Sequence, residues 1–233
     1  MTVIWRIGAL ALLALAGVAG ASSVAPAPLE LTASRGQASL AAHTVYYHDK
    51  AGDDDLGVAT LHLENGRFQP LVNGNTSFGF QDGAHWFHIR LLNADSPEPQ
   101  WLLVQEYALS DRIDVHAIYP DGRVVHQAGG DHLPFDQRNI RYRYPNFWLD
   151  LPQGQPVSVL VRVQSESSMQ VPLKLYSPAA FIQQSGDAQF AIGLYYGILL
   201  ALFIYNLVMW LTLRDPGYFW YLFHITAFGL VLF

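Results

Sequence analysis

The feature that most constrains this chain is a long apolar run near its C-terminus. Residues 190–213 contain no Asp, Glu, Lys, Arg or His. A helix rises about 1.5 Å per residue and needs roughly 20 apolar residues to cross the hydrocarbon of a bilayer, so this run predicts transmembrane helix 1. A second apolar run, 218–233, predicts the first part of transmembrane helix 2. We expect the start of a multi-helix bundle, with any output module beyond residue 233.

The N-terminus has the parts of a secretory signal peptide. Arg6 supplies positive charge, residues 7–20 are apolar, and Ala19 and Ala21 are small residues where signal peptidase reads the chain. The prediction is a signal peptide over 1–21, the alternative being an uncleaved anchor helix. The segment that follows is then exported. Arg214 directly follows the first apolar run, so the positive-inside tendency places a loop at 214–217 in the cytoplasm.

Composition narrows the function classes of the exported segment. The stretch between leader and membrane is long enough for one domain with its own core. Without Arg6, Arg214 and Asp215, the exported segment has 11 basic and 18 acidic residues, and this net charge of −7 makes nucleic acid and anionic lipid surfaces poor partners. The count of zero cysteines excludes disulfides, thiol catalysis and cysteine metal sites. These observations favour a domain in the bacterial periplasm, anchored in the inner membrane.

The exported segment is expected to be all β. Residues 22–42, rich in Ala, Ser and Pro, predict a flexible lead-in. Turn dipeptides such as Asn65-Gly66 and Asp121-Gly122 then separate runs of β-branched and aromatic residues. The predicted strands lie near 43–49, 57–63, 85–93, 100–108, 112–119, 122–127, 145–151, 156–164 and 169–176. This pattern predicts a jelly-roll or β-sandwich domain over 43–178 and a juxtamembrane linker over 179–189.

Alternation along the strands separates a core face from a polar face. In the strand near 85–93, Phe87, Ile89 and Leu91 alternate with polar residues, and side chains on a strand point to opposite faces with period two. The strands near 112–119 and 156–164 alternate in the same way. The polar face is predicted to gather the candidate ligand-binding residues, which are Trp86, His88, Arg90, Asp114, His116, Trp148, Arg162 and Gln164.

Two interpretations of this polar face remain open. Aromatic rings stack on the apolar faces of sugars, and guanidinium groups grip oxygen atoms, so the face suits a carbohydrate-like ligand or a small anion. The alternative is a solvated sheet face with cross-strand ion pairs. No metal site, cofactor or enzyme is predicted. Asp53 to Asp55 lack the pattern of a calcium loop, and His85 and His88 fall on opposite faces of one strand, which argues against a zinc or copper site.

The order of several segments resembles a known family. These segments are 84–93 (AHWFHIRLLN), 101–104 (WLLV), 111–115 (DRIDV), 160–165 (LVRVQS), 171–178 (VPLKLYSP) and 193–197 (GLYYG). From about residue 43 onward the chain resembles bacterial seven-transmembrane receptors with diverse intracellular signalling modules, in their type 2 sensor form. The resemblance implies a periplasmic jelly roll of carbohydrate-binding-module type, a seven-helix bundle in the inner membrane, and a histidine kinase or diguanylate cyclase output. His88 lies within the strand from Trp86 to Arg90 at a position that the family pattern does not assign.

Two functions from different classes follow. The first is a receptor whose exported domain binds a carbohydrate-like ligand and biases the membrane bundle between two states. The second is a protein-interaction or homodimerisation module that binds no small ligand. A concave face with exposed Trp86 and Trp148 would favour the first, and a flat apolar edge would favour the second.

Overall fold

The computed structural model describes residues 27–134 and 138–231, so the predicted signal peptide lies outside the described residues. Three α-helices are present there, α1 (Leu56–Glu64), α2 (Pro178–Leu213) and α3 (Pro216–Val231). The strands are β1 (Leu29–Leu31), β2 (Gln37–Ser39), β3 (Thr44–Asp49), β4 (Gln69–Pro70), β5 (Ser77–Gly79), β6 (Ala84–Asn93), β7 (Gln100–Gln105), β8 (Arg112–Ile118), β9 (Val124–Gly129), β10 (Asn146–Asp150), β11 (Pro156–Gln164), β12 (Met169–Gln170) and β13 (Leu173–Tyr176).

The strands form a sandwich of two main sheets, as the alternation predicts. The large sheet has the order β4-β3-β6-β11-β8-β9, with β1 added in parallel to the end of β6. The small sheet has the order β10-β7-β13-β2, and β5 pairs with β12 in a separate ribbon. The inward residues of β6 and β11 are fully buried, Phe87 and Val161 among them, and they pack on Trp101 and Leu103 of β7. The predicted all-β sandwich is therefore confirmed.

Residues 57–63, which were predicted as a strand, are helical. The helix α1 begins after Asp55, whose Oδ1 accepts a hydrogen bond from the Val58 amide at 2.9 Å, and a capped helix start outweighs weak strand propensity. The apolar residues at 61 and 63 mimic strand alternation. Leu56 and Ala59, spaced three residues apart, are the ones that pack against the large sheet.

The predicted flexible lead-in over 22–42 is also corrected where the structure describes it. β1 pairs with the end of β6, and Leu29 and Leu31 are buried in the core. β2 extends the small sheet along β13. These strands have three residues each, too few for a period-two pattern to stand out in a segment rich in Ala, Ser and Pro.

The membrane-directed part differs from the prediction at one boundary. The predicted linker 179–189 and the predicted span 190–213 are one continuous helix, α2. Among the described residues, α2 is the one helix long and apolar enough to cross a membrane. It ends at Leu213, and the next residue, Arg214, adopts a left-handed conformation (φ 57°) and turns the chain into α3. The two helices are in contact, with the Tyr196 hydroxyl donating to the Gly229 carbonyl at 3.2 Å.

Candidate ligand-binding face

The outer face of the large sheet carries most of the predicted site residues in two cross-strand rows. Strand register places His88 opposite Leu160, Leu160 opposite His116, and His116 opposite His126. The neighbouring row places Trp86 opposite Arg162, and Arg162 opposite Asp114. The predicted alternation is thus correct for these strands. The structure also shows what covers this face, which the sequence did not reveal.

Trp86 was predicted to be exposed and is instead buried beneath α1. Its side chain is 1% exposed and shares a cluster with Ala59 of α1 and Leu160 of β11. It stacks on His116 with ring centroids 6.0 Å apart. The helix α1, which was predicted as a strand, lies across the face of the sheet where the indole would otherwise be exposed.

The charged row beside Trp86 holds itself together and fastens the loop that leads into α1. Asp114, 4% exposed, accepts from Arg112 Nε at 2.9 Å and contacts His126 Nε2 at 3.0 Å. Arg162 Nη1 lies 3.7 Å from the same carboxylate. The second terminal nitrogen of Arg162, Nη2, donates to the Gly52 carbonyl at 2.7 Å and to Gln164 Oε1 at 3.0 Å. These residues therefore form the cross-strand ion pairs of the alternative interpretation.

His88 is a buried neutral histidine. It is 3% exposed, and its Nε2 lies 2.7 Å from the Ser158 hydroxyl. Burial, followed by the nearby positive charge of Arg90, lowers the pKa of His88 to about 4. His85 points to the core side of the same strand, where it stacks on His48 with centroids 4.2 Å apart. The two histidines therefore do not converge on a metal.

The accessible part of the face lies beyond α1. His116 and His126 stack with ring centroids 4.6 Å apart and an interplanar angle of 17°, and the His126 side chain is 49% exposed. Burial and the neighbouring His126 lower the pKa of His116, and Asp114 opposes them. Arg90 and Ser158 are half-buried at the adjoining cross-strand position. His126 was missed from the sequence because its position depends on the pairing of β8 with β9.

Trp148 does not belong to this face. It lies on β10 in the small sheet, opposite Leu102, and packs at the outer side of that sheet. The cluster there also contains Tyr142, Tyr144 and Phe181, the last from the first turn of α2. The prediction that Trp148 joins Trp86 is therefore wrong, because period two fixes the face of a strand but not the sheet to which the strand belongs.

Three acidic residues near α1 come close enough to hold a cation, but the buried one, Asp49, already has protein partners. Asp49, Asp53 and Asp54 offer carboxylate oxygens within 4.8 Å of one another. The Asp49 carboxylate accepts from the amides of Gly52 at 2.8 Å and Asp54 at 3.0 Å. Asp55 caps α1. These bonds hold the turn from β3 into α1 in its conformation.

Comparison with known proteins identifies the family. The family model described as 7TMR-DISM extracellular 2 matches residues 41–177, and the model described as 7TM diverse intracellular signalling matches residues 188–233. No curated protein matches the chain.

Two solved structures show distant similarity. An assigned β-galactosidase from Bacteroides fragilis aligns with a TM-score of 0.37 and 11% identity over 60% of this chain and 22% of its own. The β-glucuronidase of Ruminococcus gnavus in complex with uronic isofagomine aligns with a TM-score of 0.35 and 14% identity over 64% of this chain and 30% of its own. This chain thus corresponds to less than a third of either enzyme. The two family matches, which together extend from the sandwich into the membrane helices, show that the protein belongs to the 7TMR-DISM family of membrane signalling receptors, with an N-terminal extracellular domain.

Proposed function

We propose that this chain is the ligand-sensing and membrane-anchoring part of a bacterial signalling receptor. Its sandwich lies in the periplasm, its helices lie in the inner membrane, and the signal passes to a cytoplasmic output module of the histidine kinase or diguanylate cyclase type. The observation that carries the proposal is the continuity of α2, which begins on the sandwich and extends as one helix through the predicted span. A continuous helix passes displacement from the sandwich to the membrane without a flexible joint.

The start of α2 is fastened to the small sheet. The Ser177 hydroxyl accepts from the Ala180 amide at 3.3 Å and caps the helix. Phe181 is 7% exposed and meets Tyr142 edge-on with centroids 5.0 Å apart. The Ser177 amide donates to the Gly36 carbonyl at 2.8 Å. Movement of the sandwich relative to the membrane therefore has to move α2.

The ligand class proposed is a carbohydrate-like small molecule bound on the accessible part of the large-sheet face. The stacked His116 and His126 rings offer an aromatic surface at one end of the face, and the half-buried Arg90 offers charged hydrogen-bond donors on the same face, two strands away from His116. Trp86, Asp114, Arg162 and Gln164 support this surface from below and from the side. In this proposal they act by holding the strands and α1 in place rather than by touching the ligand.

Calorimetric titration of the full chain with a panel of neutral and acidic oligosaccharides tests the ligand proposal. We expect His126→Ala and Arg90→Ala to weaken binding by at least tenfold while leaving the melting temperature near that of the parent, because exposed or half-exposed substitutions cost little stability. Arg143→Ala is the matched control, since Arg143 is exposed and lies over Tyr142 and Tyr144 at the small sheet. Unchanged binding in both variants would contradict the proposed surface.

The relay can be tested separately by comparing neighbouring residues of α2. Phe181→Ala removes the ring that anchors the helix to the small sheet, whereas Ile182, 70% exposed, is the control at the next position. We expect Phe181→Ala to abolish ligand-dependent changes in a distance between spin labels on the sandwich and on α3. Ile182→Ala should leave that change intact. Equal behaviour of the two variants would contradict a relay through this contact.

A second function is favoured by one different observation. Val72 and Phe80 are 73% and 80% exposed, and both belong to the segment that leads to β6. Large exposed apolar side chains often mark contact surfaces between proteins. A protein-interaction or homodimerisation module would use them. Light scattering of the full chain and of the Phe80→Ser variant measures the molar mass of each. A dimeric full chain and a monomeric variant would support this alternative, whereas equal masses would contradict it.

A further inference from the structure

The α1 segment, residues 56–68, consists of α1 and the turn after it, and it lies on the inner part of the large-sheet face. Ala59 is the one residue of α1 that is fully buried. Leu61 and Val58 are apolar, yet they are 53% and 38% exposed. A helix of nine residues is marginal on its own in water, so packing and end contacts have to hold it in place. The α1 segment is therefore a weakly packed part of the domain.

Aromatic contacts along one edge hold the α1 segment on the sheet. The ring centroid of Tyr47, on β3, lies 4.7 Å from that of His62 and 5.8 Å from that of Phe68. Phe68 meets the His88 ring edge-on, with the centroids 6.5 Å apart. These contacts join side chains only, so they can break while the strands stay paired.

The two ends of the α1 segment are attached differently. Before α1, the Gly52 carbonyl accepts from Arg162 Nη2 at 2.7 Å. The amides of Gly52 and Asp54 both donate to the buried Asp49 carboxylate. After α1, the attachment is β4, which has two exposed residues at the edge of the large sheet. Gly66 lies between α1 and β4 with a φ of 68°, a conformation that glycine adopts without strain. The front end is thus firmly held and the rear end weakly.

Polar ring atoms without partners lie beneath and within the α1 segment. Trp86 and His88 are both buried. Trp86 Nε1 and His88 Nδ1 make no hydrogen bond to any described residue, and the same holds for His62 Nδ1 on α1. Buried polar atoms in native proteins are nearly always hydrogen-bonded, and an unpaired one is unfavourable. These three atoms therefore oppose the closure of the α1 segment on the sheet.

The aromatic row of the accessible face continues under the α1 segment. The rings of His126 and His116 stack with centroids 4.6 Å apart, and Trp86 stacks on the other side of His116 at 6.0 Å. His126 is open to solvent, whereas Trp86 is covered. Displacement of the α1 segment would extend the accessible row from two rings to three, and it would add the indole N–H as a hydrogen-bond donor.

We propose that the α1 segment is a hinged cover over Trp86 and His88. It stays attached at Gly52 and Asp54 and swings away from the sheet at its rear end. In the closed form Trp86 supports the accessible surface, and in the open form it becomes part of that surface. The movement stands on the contacts of the cover alone. What the open surface binds rests on the proposed carbohydrate-like ligand, which an aromatic ring with a polar edge suits.

Thiol labelling of the full chain in mild detergent measures the opening, because the chain has no cysteine of its own. Ala59→Cys places one thiol beneath the cover, and Ala117→Cys is the matched control in the core between the sheets. With excess iodoacetamide and no denaturant, we expect position 59 to react at least about 100-fold faster, since local opening needs less free energy than unfolding of the sandwich. Low concentrations of urea should accelerate labelling at position 117 more than at position 59, because local opening exposes less surface.

Equal labelling rates with equal urea dependence would overturn the proposal, because α1 would then leave the sheet only when the sandwich unfolds. If Ala59→Cys lowers the melting temperature, hydrogen exchange in the parent chain makes the same comparison. The Ala59 amide, which donates to the Asp55 carbonyl at 3.0 Å, should exchange faster and with less urea dependence than the amides of β6. Equal exchange would again overturn the cover. Neither measurement uses a ligand, so their failure leaves the proposed function standing, and failure of oligosaccharide binding leaves the cover standing.

Discussion

Both outer faces of the sandwich are covered by a helix, but the contacts that hold the two helices differ in kind. On the large sheet, α1 is held by Trp86 beneath it and by the Arg162 contact to the loop before it. On the small sheet, the first turn of α2 is held by Phe181 among tyrosines. The first helix ends within the domain, and the second continues into the predicted span. The helix α1 therefore stabilises the domain, whereas α2 joins the domain to the membrane.

Polar contacts on the small sheet lie beside its aromatic cluster. The Tyr176 hydroxyl donates to Glu106 Oε1 at 2.7 Å, and Lys174 Nζ lies 2.7 Å from Glu106 Oε2. Burial and the Glu106 contact raise the pKa of Tyr176, so the phenol stays neutral. The Tyr176 phenol on the small sheet therefore keeps its proton, whereas the neutral His88 on the large sheet takes up a proton in acid.

The largest effect is expected from Trp86→Ala. Removing a fully buried indole beneath α1 should lower the free energy of unfolding of the sandwich by about 3–5 kcal/mol. Urea unfolding of the full chain, followed by circular dichroism in the β-sheet region, measures the change. Phe80→Ala, at an 80% exposed position, is the control and should change stability by less than about 0.5 kcal/mol. A small effect at Trp86 would mean that α1 does not cover this face.

The next largest effect on stability is expected at one of two arginines that contact the Asp114 carboxylate. Arg162 is 11% exposed and Arg112 is 62% exposed at their side chains, and both contact Asp114. Arg162→Ala leaves the buried Asp114 with fewer partners and should cost about 3–5 kcal/mol. Arg112→Ala removes a largely exposed partner and should cost about 1 kcal/mol or less. Equal costs in urea unfolding would contradict the role assigned to Arg162.

Acid should lower the free energy of unfolding of the sandwich, because His88 is buried in its neutral form. Its pKa is lowered to about 4 in the folded protein, against about 6.5 when unfolded, so the unfolded chain binds the proton first. The stability that neutral His88 allows is present above about pH 6.5 and is lost as the pH falls toward 4. At pH 5 the loss is about 2 kcal/mol. Burial also lowers the pKa of His85 to about 4, so His88→Gln should reduce, without abolishing, the dependence of the unfolding midpoint on pH between pH 7 and pH 5. An unchanged slope would contradict the role of His88.

The smallest effect is expected at the start of α2. Ser177→Ala removes the hydroxyl that accepts from the Ala180 amide, and loss of such a cap typically costs about 1 kcal/mol. Amide hydrogen exchange over the first turn of α2 should accelerate accordingly. Ser185→Ala, which removes an exposed hydroxyl from the interior of the same helix, should leave that exchange unchanged. Faster exchange in both variants would point to general fraying of the helix.

The sequence predicted the elements that have a clear period and missed those defined by distant contacts. β6, β8 and β11 alternate over at least seven residues, so their core faces could be read directly. The helix α1 was not predicted because its short apolar pattern fits the period of a strand as well as that of a helix. Its N-terminal cap and its packing on the large sheet favour the helix. The burial of Trp86 depends on α1, and the separation of Trp148 depends on sheet membership. Neither follows from local spacing.

The boundary before the membrane was missed for a related reason. Residues 179–189 contain Gln, Ser, Gly and Asp, which suggest a linker, yet the helix starts at Pro178 after the Ser177 cap. Phe181 packs on the small sheet, and this tertiary contact adds to the helix a stabilisation that local composition does not show. A relay of displacement from the sandwich to the membrane through α2 requires this segment to be helical.

Hydrogen exchange of the full chain in lipid nanodiscs, resolved over residues 182–190, tests that dependence most directly. The account predicts slow, helix-like exchange across the segment, and faster exchange in Phe181→Ala than in Ile182→Ala. Exchange at the rate of an unfolded peptide in the parent chain would show that sandwich and membrane are joined by a flexible linker, and it would contradict the central claim.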